Sequence, residues 1–168
     1  MPVPLELYLV RHATAEDRGV AWPDEARRPL SEDGKAGWRK ASRGLQRWGV
    51  SIDLILTSPL VRARQTADIL AAALQPHPPV VETDALAPGA TLAPLLAALA
   101  AHGRRHRIAL VGHEPDLGQL AARLAGLRQP LPFKKGAVCR IDFPSAPPEP
   151  PGTLRWFLPP GALRRMRG

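Results

Sequence analysis

DLILTSPLVRARQTADIL, residues 53–70, reads as a strand that turns directly into a helix. Asp53 to Thr57 is a short apolar run of the kind that forms a buried strand. Ser58–Pro59 then has the form of an N-cap followed by proline at the first helical position. Leu60, Ala63, Ala67, Leu70 and Leu74 recur at spacings of three and four, which is one apolar helix stripe, and QPHPP at 75–79 stops it.

The same unit recurs on both sides. Upstream, Leu5 to Val10 is a short apolar run that ends at the charged pair Arg11–His12 and predicts the first strand. Residues 13–30 are polar, broken by Gly19, Pro23 and Pro29, and long enough for a functional loop such as a lid. Ser31 caps a predicted helix with Glu32 and Asp33 in its first turn, a stripe of Trp38, Ala41, Leu45 and Trp48, and an end near Gly49.

Downstream, Val80 to Glu82 predicts a third strand, and Leu92, Leu95, Leu96 and Leu99 mark a helix. Arg107 to Val111 predicts a fourth strand, Gly112 to Pro115 a turn with proline at a helix start, and Leu117, Leu120, Leu124 and Leu127 the following stripe. Ala137 to Phe143 and Thr153 to Leu158 flank the proline-rich PSAPPEPP and are expected toward a sheet edge. Strands alternating with helices imply an α/β fold, a three-layer α/β/α sandwich with a mostly parallel central sheet, and 168 residues suit a single domain over 1–168.

The net charge of +8 suits an anionic partner, whether a phosphate ester, a nucleic acid or an acidic protein surface, without choosing among them. No apolar run is long enough to cross a bilayer and the first residues lack the pattern of a secretory leader, so no membrane partner and a cytoplasmic location are expected. A lone cysteine, Cys139, rules out an internal disulfide framework and a cysteine-based zinc cluster.

In open α/β sheets the ligand site forms outside the carboxyl ends of the strands. That rule brings together Arg11–His12 after the first strand, Ser58 to Arg62 after the second and Gly112–His113 after the fourth. Two arginines and two histidines so placed suit a dianionic phosphate, because guanidinium forks match phosphoryl oxygens and helix N-termini add partial positive charge. A neutral imidazole there can attack phosphorus to form a covalent intermediate, and the cations do the charge neutralisation, so neither a metal nor another cofactor is called for.

In LYLVRHATAE (7–16) the Arg-His pair after the first strand resembles the defining element of the histidine phosphatase superfamily. Ala13 stands where that motif usually has glycine, a substitution familiar in the small phosphohistidine phosphatases of the SixA type. The resemblance continues, in the family's order, through RRPLSEDGKAGW (27–38), LILTSPLVRARQTADIL (54–70) and LVGHEPDLGQL (110–120). It implies a phosphoglycerate mutase-like fold and a metal-independent phosphatase with His12 as nucleophile and Arg11, Arg62 and His113 as phosphate-binding residues.

Hydrolysis of a phosphate monoester usually calls for a carboxylic acid to protonate the leaving alkoxide. Asp24, Glu82 and Glu114 are the foremost candidates, with Glu16, Asp17 and Asp84 beside them. A phosphoramidate demands less, because phosphohistidine departs as imidazole, whose conjugate acid has a pKa of about 6.5. The expected substrate is therefore phosphohistidine on a partner protein, with inorganic phosphate as product. The alternatives are a general small-molecule phosphomonoesterase using the same four residues and, outside the enzymes, a basic nucleic-acid-binding protein. Nucleic acid is the weaker partner, given 5% aromatic residues and no recognised binding motif.

Other features read more simply. Arg64 is expected on the surface, His102 and His106 in a solvated loop rather than as a metal pair, and Cys139 as a packed apolar group. Trp22 either stacks on substrate or packs the loop down, and the basic tail LRRMRG (163–168) is expected to be solvated and poorly ordered.

Overall fold

In the computed structural model, which describes residues 2–167, alternate side chains of each strand leave the sheet on opposite faces and seed two cores. Strand β1 (Leu5–Arg11) sends Leu5, Leu7 and Leu9 into one core and Tyr8 and Val10 into the other. Helix α1 (Glu32–Trp48), α2 (Val61–Ala73) and α5 (Pro160–Arg164) cover the Tyr8 face through Trp38, Leu45, Ala67, Leu70 and Leu163. Helix α3 (Leu92–Ala100) and α4 (Asp116–Ala125) cover the other face through Leu95, Leu99, Leu120 and Leu124. These are the three layers of the expected sandwich.

Strand β2 (Leu54–Thr57), β3 (Val80–Glu82), β4 (Arg107–Gly112), β5 (Val138–Phe143) and β6 (Thr153–Leu158) complete a six-stranded sheet of order β3-β2-β4-β1-β5-β6. The pairs β2·β3, β2·β4 and β1·β4 are parallel, and β1·β5 and β5·β6 are antiparallel. The proline-rich link thus joins a hairpin at one side of the sheet. Its outer strand β6 is the edge, and β5 is interior.

The register places the site. Arg11 pairs with Gly112, and Val111 with Thr57, so β1, β4 and β2 end in one row. His12, His113 and Ser58 are each the next residue beyond that row. The His12 N–H still donates to the Gly112 carbonyl at 3.0 Å and the Ser58 N–H to the Val111 carbonyl at 3.0 Å, which extends the sheet's order one residue into the loops.

Four local expectations need correction. Ser58 is not the cap of α2: the helix begins at Val61 with Leu60 at the N-cap, and the Ser58 hydroxyl accepts the Leu60 N–H at 3.2 Å. Pro115 precedes α4 at its N-cap instead of opening it. The C-terminal tail is not loose as far as it is described, because Leu163 is fully buried and Arg47 Nε donates to the Met166 carbonyl at 3.0 Å. Trp48 also leaves the α1 stripe, lying 41% exposed beside Trp156 with ring centroids 4.9 Å apart.

The loop between β1 and α1 is tied at its base. Ala15 bridges Leu30, and the Ser31 N–H donates to the Thr14 carbonyl at 3.0 Å while Ser31 Oγ caps α1 by accepting the Gly34 N–H. Among the described residues no helix is long and apolar enough to cross a membrane.

Candidate active site

His12 enters a pocket of about 560 Å3 at the carboxyl end of the sheet with its tautomer already set. Its Nδ1 lies 2.7 Å from the Ala13 carbonyl oxygen, which only accepts, so Nδ1 carries the proton and Nε2 keeps its lone pair. Burial lowers its pKa to about 3, with the nearby His113, Arg62 and Arg11 pushing the same way against the Ala13 carbonyl. The ring is therefore neutral at neutral pH. The peptide that follows is fixed by Thr66 of α2, whose Oγ1 accepts the Ala13 N–H at 3.1 Å.

His113 lies across from it, ring centroids 5.2 Å apart at 56°. Its Nε2 is 2.8 Å from Ser58 Oγ, and burial above all, then Arg62, lowers its pKa to about 4. Arg11 is held by Nη1 donating to the Phe133 carbonyl at 2.8 Å. Arg62, in the first turn of α2 and 4% exposed, donates from Nη1 to the Glu25 carbonyl at 2.7 Å. Burial lowers both arginines from their ordinary value, yet guanidinium stays charged in proteins.

Three pocket residues keep a buried nitrogen with no hydrogen-bond partner: Arg11 Nε, Arg62 Nε and His113 Nδ1. Buried polar atoms are normally paired, so three orphans around one pocket mark a place for an acceptor-rich ligand. His12, Arg11, Arg62 and His113, named from the sequence, all line this pocket.

The candidate acids divide. Glu114 lines the pocket, with Oε1 accepting the Gly118 N–H at 2.6 Å, and Glu16 and Asp17 also line it. Asp24 and Glu82 do not: Asp24 accepts the Ala26 N–H at 3.0 Å to cap a one-turn 3-10 helix over Glu25–Arg27, and Glu82 pairs with Arg64 at 3.4 Å. Arg64 itself is on the outside, with Asp68 at 3.1 Å. Trp22 lies outside the pocket in a shallow hollow with Pro23 and Arg27. The Cys139 thiol is buried in β5, which pushes its pKa up to about 12.

Sequence reasoning gave no role to Glu25 or Arg28, and read Ser58 only as a helix cap. Glu25 Oε1 receives Arg28 Nη2 at 2.7 Å and lies 3.4 Å from Arg62 Nη2, and Arg28, 7% exposed, also donates to the Glu16 carbonyl. These contacts fasten the β1–α1 loop to the first turn of α2. The one available signal was Arg28 within RRPLSEDGKAGW, a segment matched as a whole without a role for its second arginine.

The family model of the histidine phosphatase superfamily (branch 1) matches residues 7–87. An uncharacterized protein from a Picosynechococcus strain is 44% identical over 124 residues, covering 72% of this chain and 73% of the relative. The chain belongs to the histidine phosphatase superfamily. Its fold matches that of the protein histidine phosphatase SixA solved with tungstate, at TM-score 0.83 and 24% identity over 95% of this chain and 99% of that one. A mycobacterial glucosyl-3-phosphoglycerate phosphatase shares the fold at TM-score 0.61 and 18% identity, over 84% and 91%. This histidine phosphatase is thus a hydrolase of phosphorylated substrates, and His113, beyond the residues the family model matches, is brought to the Arg-His pair by the β1·β4 register.

Proposed function

We propose that this phosphatase removes the phosphoryl group from phosphohistidine on a partner protein, through a covalent phosphohistidine at His12 and without a metal. The observation that carries the phosphoryl chemistry is the set of three unpartnered buried nitrogens around the free Nε2 of His12. Nε2 attacks phosphorus, the P–N bond to His12 forms as the bond to the leaving group breaks, and the departing group takes up a proton. Arg11, Arg62 and His113 bind the three phosphoryl oxygens as charge spreads over them. Water then attacks the phosphohistidine, breaking the P–N bond and releasing inorganic phosphate.

The proton donors support the choice of leaving group. Two of the foremost candidate acids lie outside the pocket, and the third, Glu114, already accepts a backbone N–H. Imidazole leaves with less help than an alkoxide, so the loss of two of the three foremost acids from the pocket weighs toward phosphohistidine. The second reading, a small-molecule phosphomonoesterase, draws on Glu16 and Asp17 at the pocket wall. Initial rates on a phosphohistidine-bearing protein, p-nitrophenyl phosphate and a panel of sugar phosphates, without added metal, decide between them. The highest kcat/KM is expected on phosphohistidine. A sugar phosphate turned over faster would establish the second reading.

A further inference from the structure

Ser58 is fully buried, and its Oγ has two neighbours: the Leu60 N–H, which it accepts at 3.2 Å, and His113 Nε2 at 2.8 Å. A hydroxyl has one proton to donate, and among the described residues His113 Nε2 is the acceptor in reach. The opposite arrangement, with the proton on Nε2, would make Oγ accept twice and leave its own proton unpaired away from water. It would also turn the Nδ1 lone pair, rather than an N–H, on an anionic substrate. Both consequences are unfavourable, since an unpaired buried donor loses its hydration without return.

We infer that Ser58 is a positioning residue whose hydroxyl donates to His113 Nε2 and so holds the imidazole in the tautomer that offers Nδ1–H to a phosphoryl oxygen. The role of that N–H rests on the phosphoryl-transfer reading of this pocket. The tautomer rests on the hydrogen-bond geometry alone. Ser58 and Ala13 then do matching work on the two rings: the Ala13 carbonyl leaves His12 with a free lone pair for attack, and the serine hydroxyl leaves His113 with a free donor. Two histidines of similar burial acquire opposite roles from the chemistry of one neighbour each.

The test is nitrogen NMR of histidine-labelled protein at neutral pH, with His113 assigned by loss of its signals in His113→Gln. Wild type is expected to show a protonated Nδ1 and an unprotonated Nε2 at His113. Ser58→Ala should give a mixed or reversed tautomer and lower kcat by about tenfold to a hundredfold, as loss of a partner that orients a functional histidine does, with a smaller change in KM. Ser58→Thr, which restores the hydroxyl, should recover the wild-type tautomer and most of kcat. A proton on Nε2 in the wild type overturns the inference, and that spectrum decides even if Ser58→Ala does not fold. A wild type that releases phosphate from no substrate would count against the phosphoryl reading and leave the tautomer measurement standing.

Discussion

Arg62 reaches from the first turn of α2 to Glu25 in the loop after β1, donating from Nη1 to its carbonyl at 2.7 Å while Nη2 lies 3.4 Å from its carboxylate. The outer edge of the guanidinium is therefore committed to the loop, and Nε, buried and unpartnered, is left for a ligand. A cation in a helix first turn opposes the helix dipole. Its burial there makes sense if it is held for an anion, and Glu25 is what holds it.

Arg62→Lys should accordingly cost far more than its unchanged charge suggests. An ammonium cannot donate to the Glu25 carbonyl from one edge and to a phosphoryl oxygen from another, so kcat is expected to fall by about a hundredfold or more, as on loss of an oxyanion donor. Arg64, outside with Asp68 and Glu82, is the internal control, and Arg64→Lys should be nearly silent. Equal losses at both positions would mean that the wrong arginine has been placed in the pocket.

His12→Ala should abolish turnover with the fold retained. Because Nδ1 is bonded to the Ala13 carbonyl, the acid-labile phosphate trapped on wild type by rapid quenching should sit on Nε2. Phosphorus NMR of the denatured intermediate distinguishes the two nitrogens. Phosphate on Nδ1, or on a chain lacking His12, would contradict the assignment.

Activity should be unchanged by EDTA if, as in the proposed mechanism, the arginines and His113 supply the positive charge and hydrogen bonds that a metal would bring. Loss of rate in chelator, restored by a divalent ion, is the contrary result.

The two histidines also set a pH dependence of stability. Their folded pKa values, about 3 and about 4, lie below the ordinary 6.5, so as pH falls below 6.5 the unfolded chain takes up two protons that the native pocket refuses. The contribution is complete above pH 6.5 and is lost as pH falls toward the folded values. The slope near about pH 5 should approach roughly 1.4 kcal/mol per pH unit for each histidine. Urea titrations of wild type and His12→Ala across this range measure it, with the shallower slope expected for the variant.

The sheet and the gathering of the four pocket residues were legible because each rests on a local pattern: an apolar run, a stripe, and a residue at a strand end, one step past it or in the first turn of the helix that follows. What was not legible rests on contacts between distant segments. Ser58 looked like a helix cap because serine before proline usually is one, but its hydroxyl meets His113, 55 positions away. Glu25 and Arg62 are 37 apart and carry no shared spacing. Asp24 and Glu82 failed as pocket acids for the same reason: a carboxylate in a loop or at a strand end has no periodicity to say which way it points, and both are taken up by neighbours.

Two glycines of α1 should respond to alanine with opposite signs. A Cβ on Gly44 would collide with the Leu163 carbonyl group, because α5 lies directly on the α1 backbone there. A Cβ on Gly37 would meet nothing nearer than Arg164 Nη1 at 3.9 Å. Gly37→Ala should therefore stabilise by up to about 1 kcal/mol, the helix propensity difference. Gly44→Ala should destabilise by about 1–3 kcal/mol, the usual cost of overpacking, despite the same propensity gain. Neither residue lines the pocket that holds His12, so phosphatase activity at low temperature should be retained in both. Thermal unfolding of the pair settles whether the C-terminal helix is docked as described: if Gly44→Ala were as stabilising as Gly37→Ala, α5 would not be packed against α1 in solution.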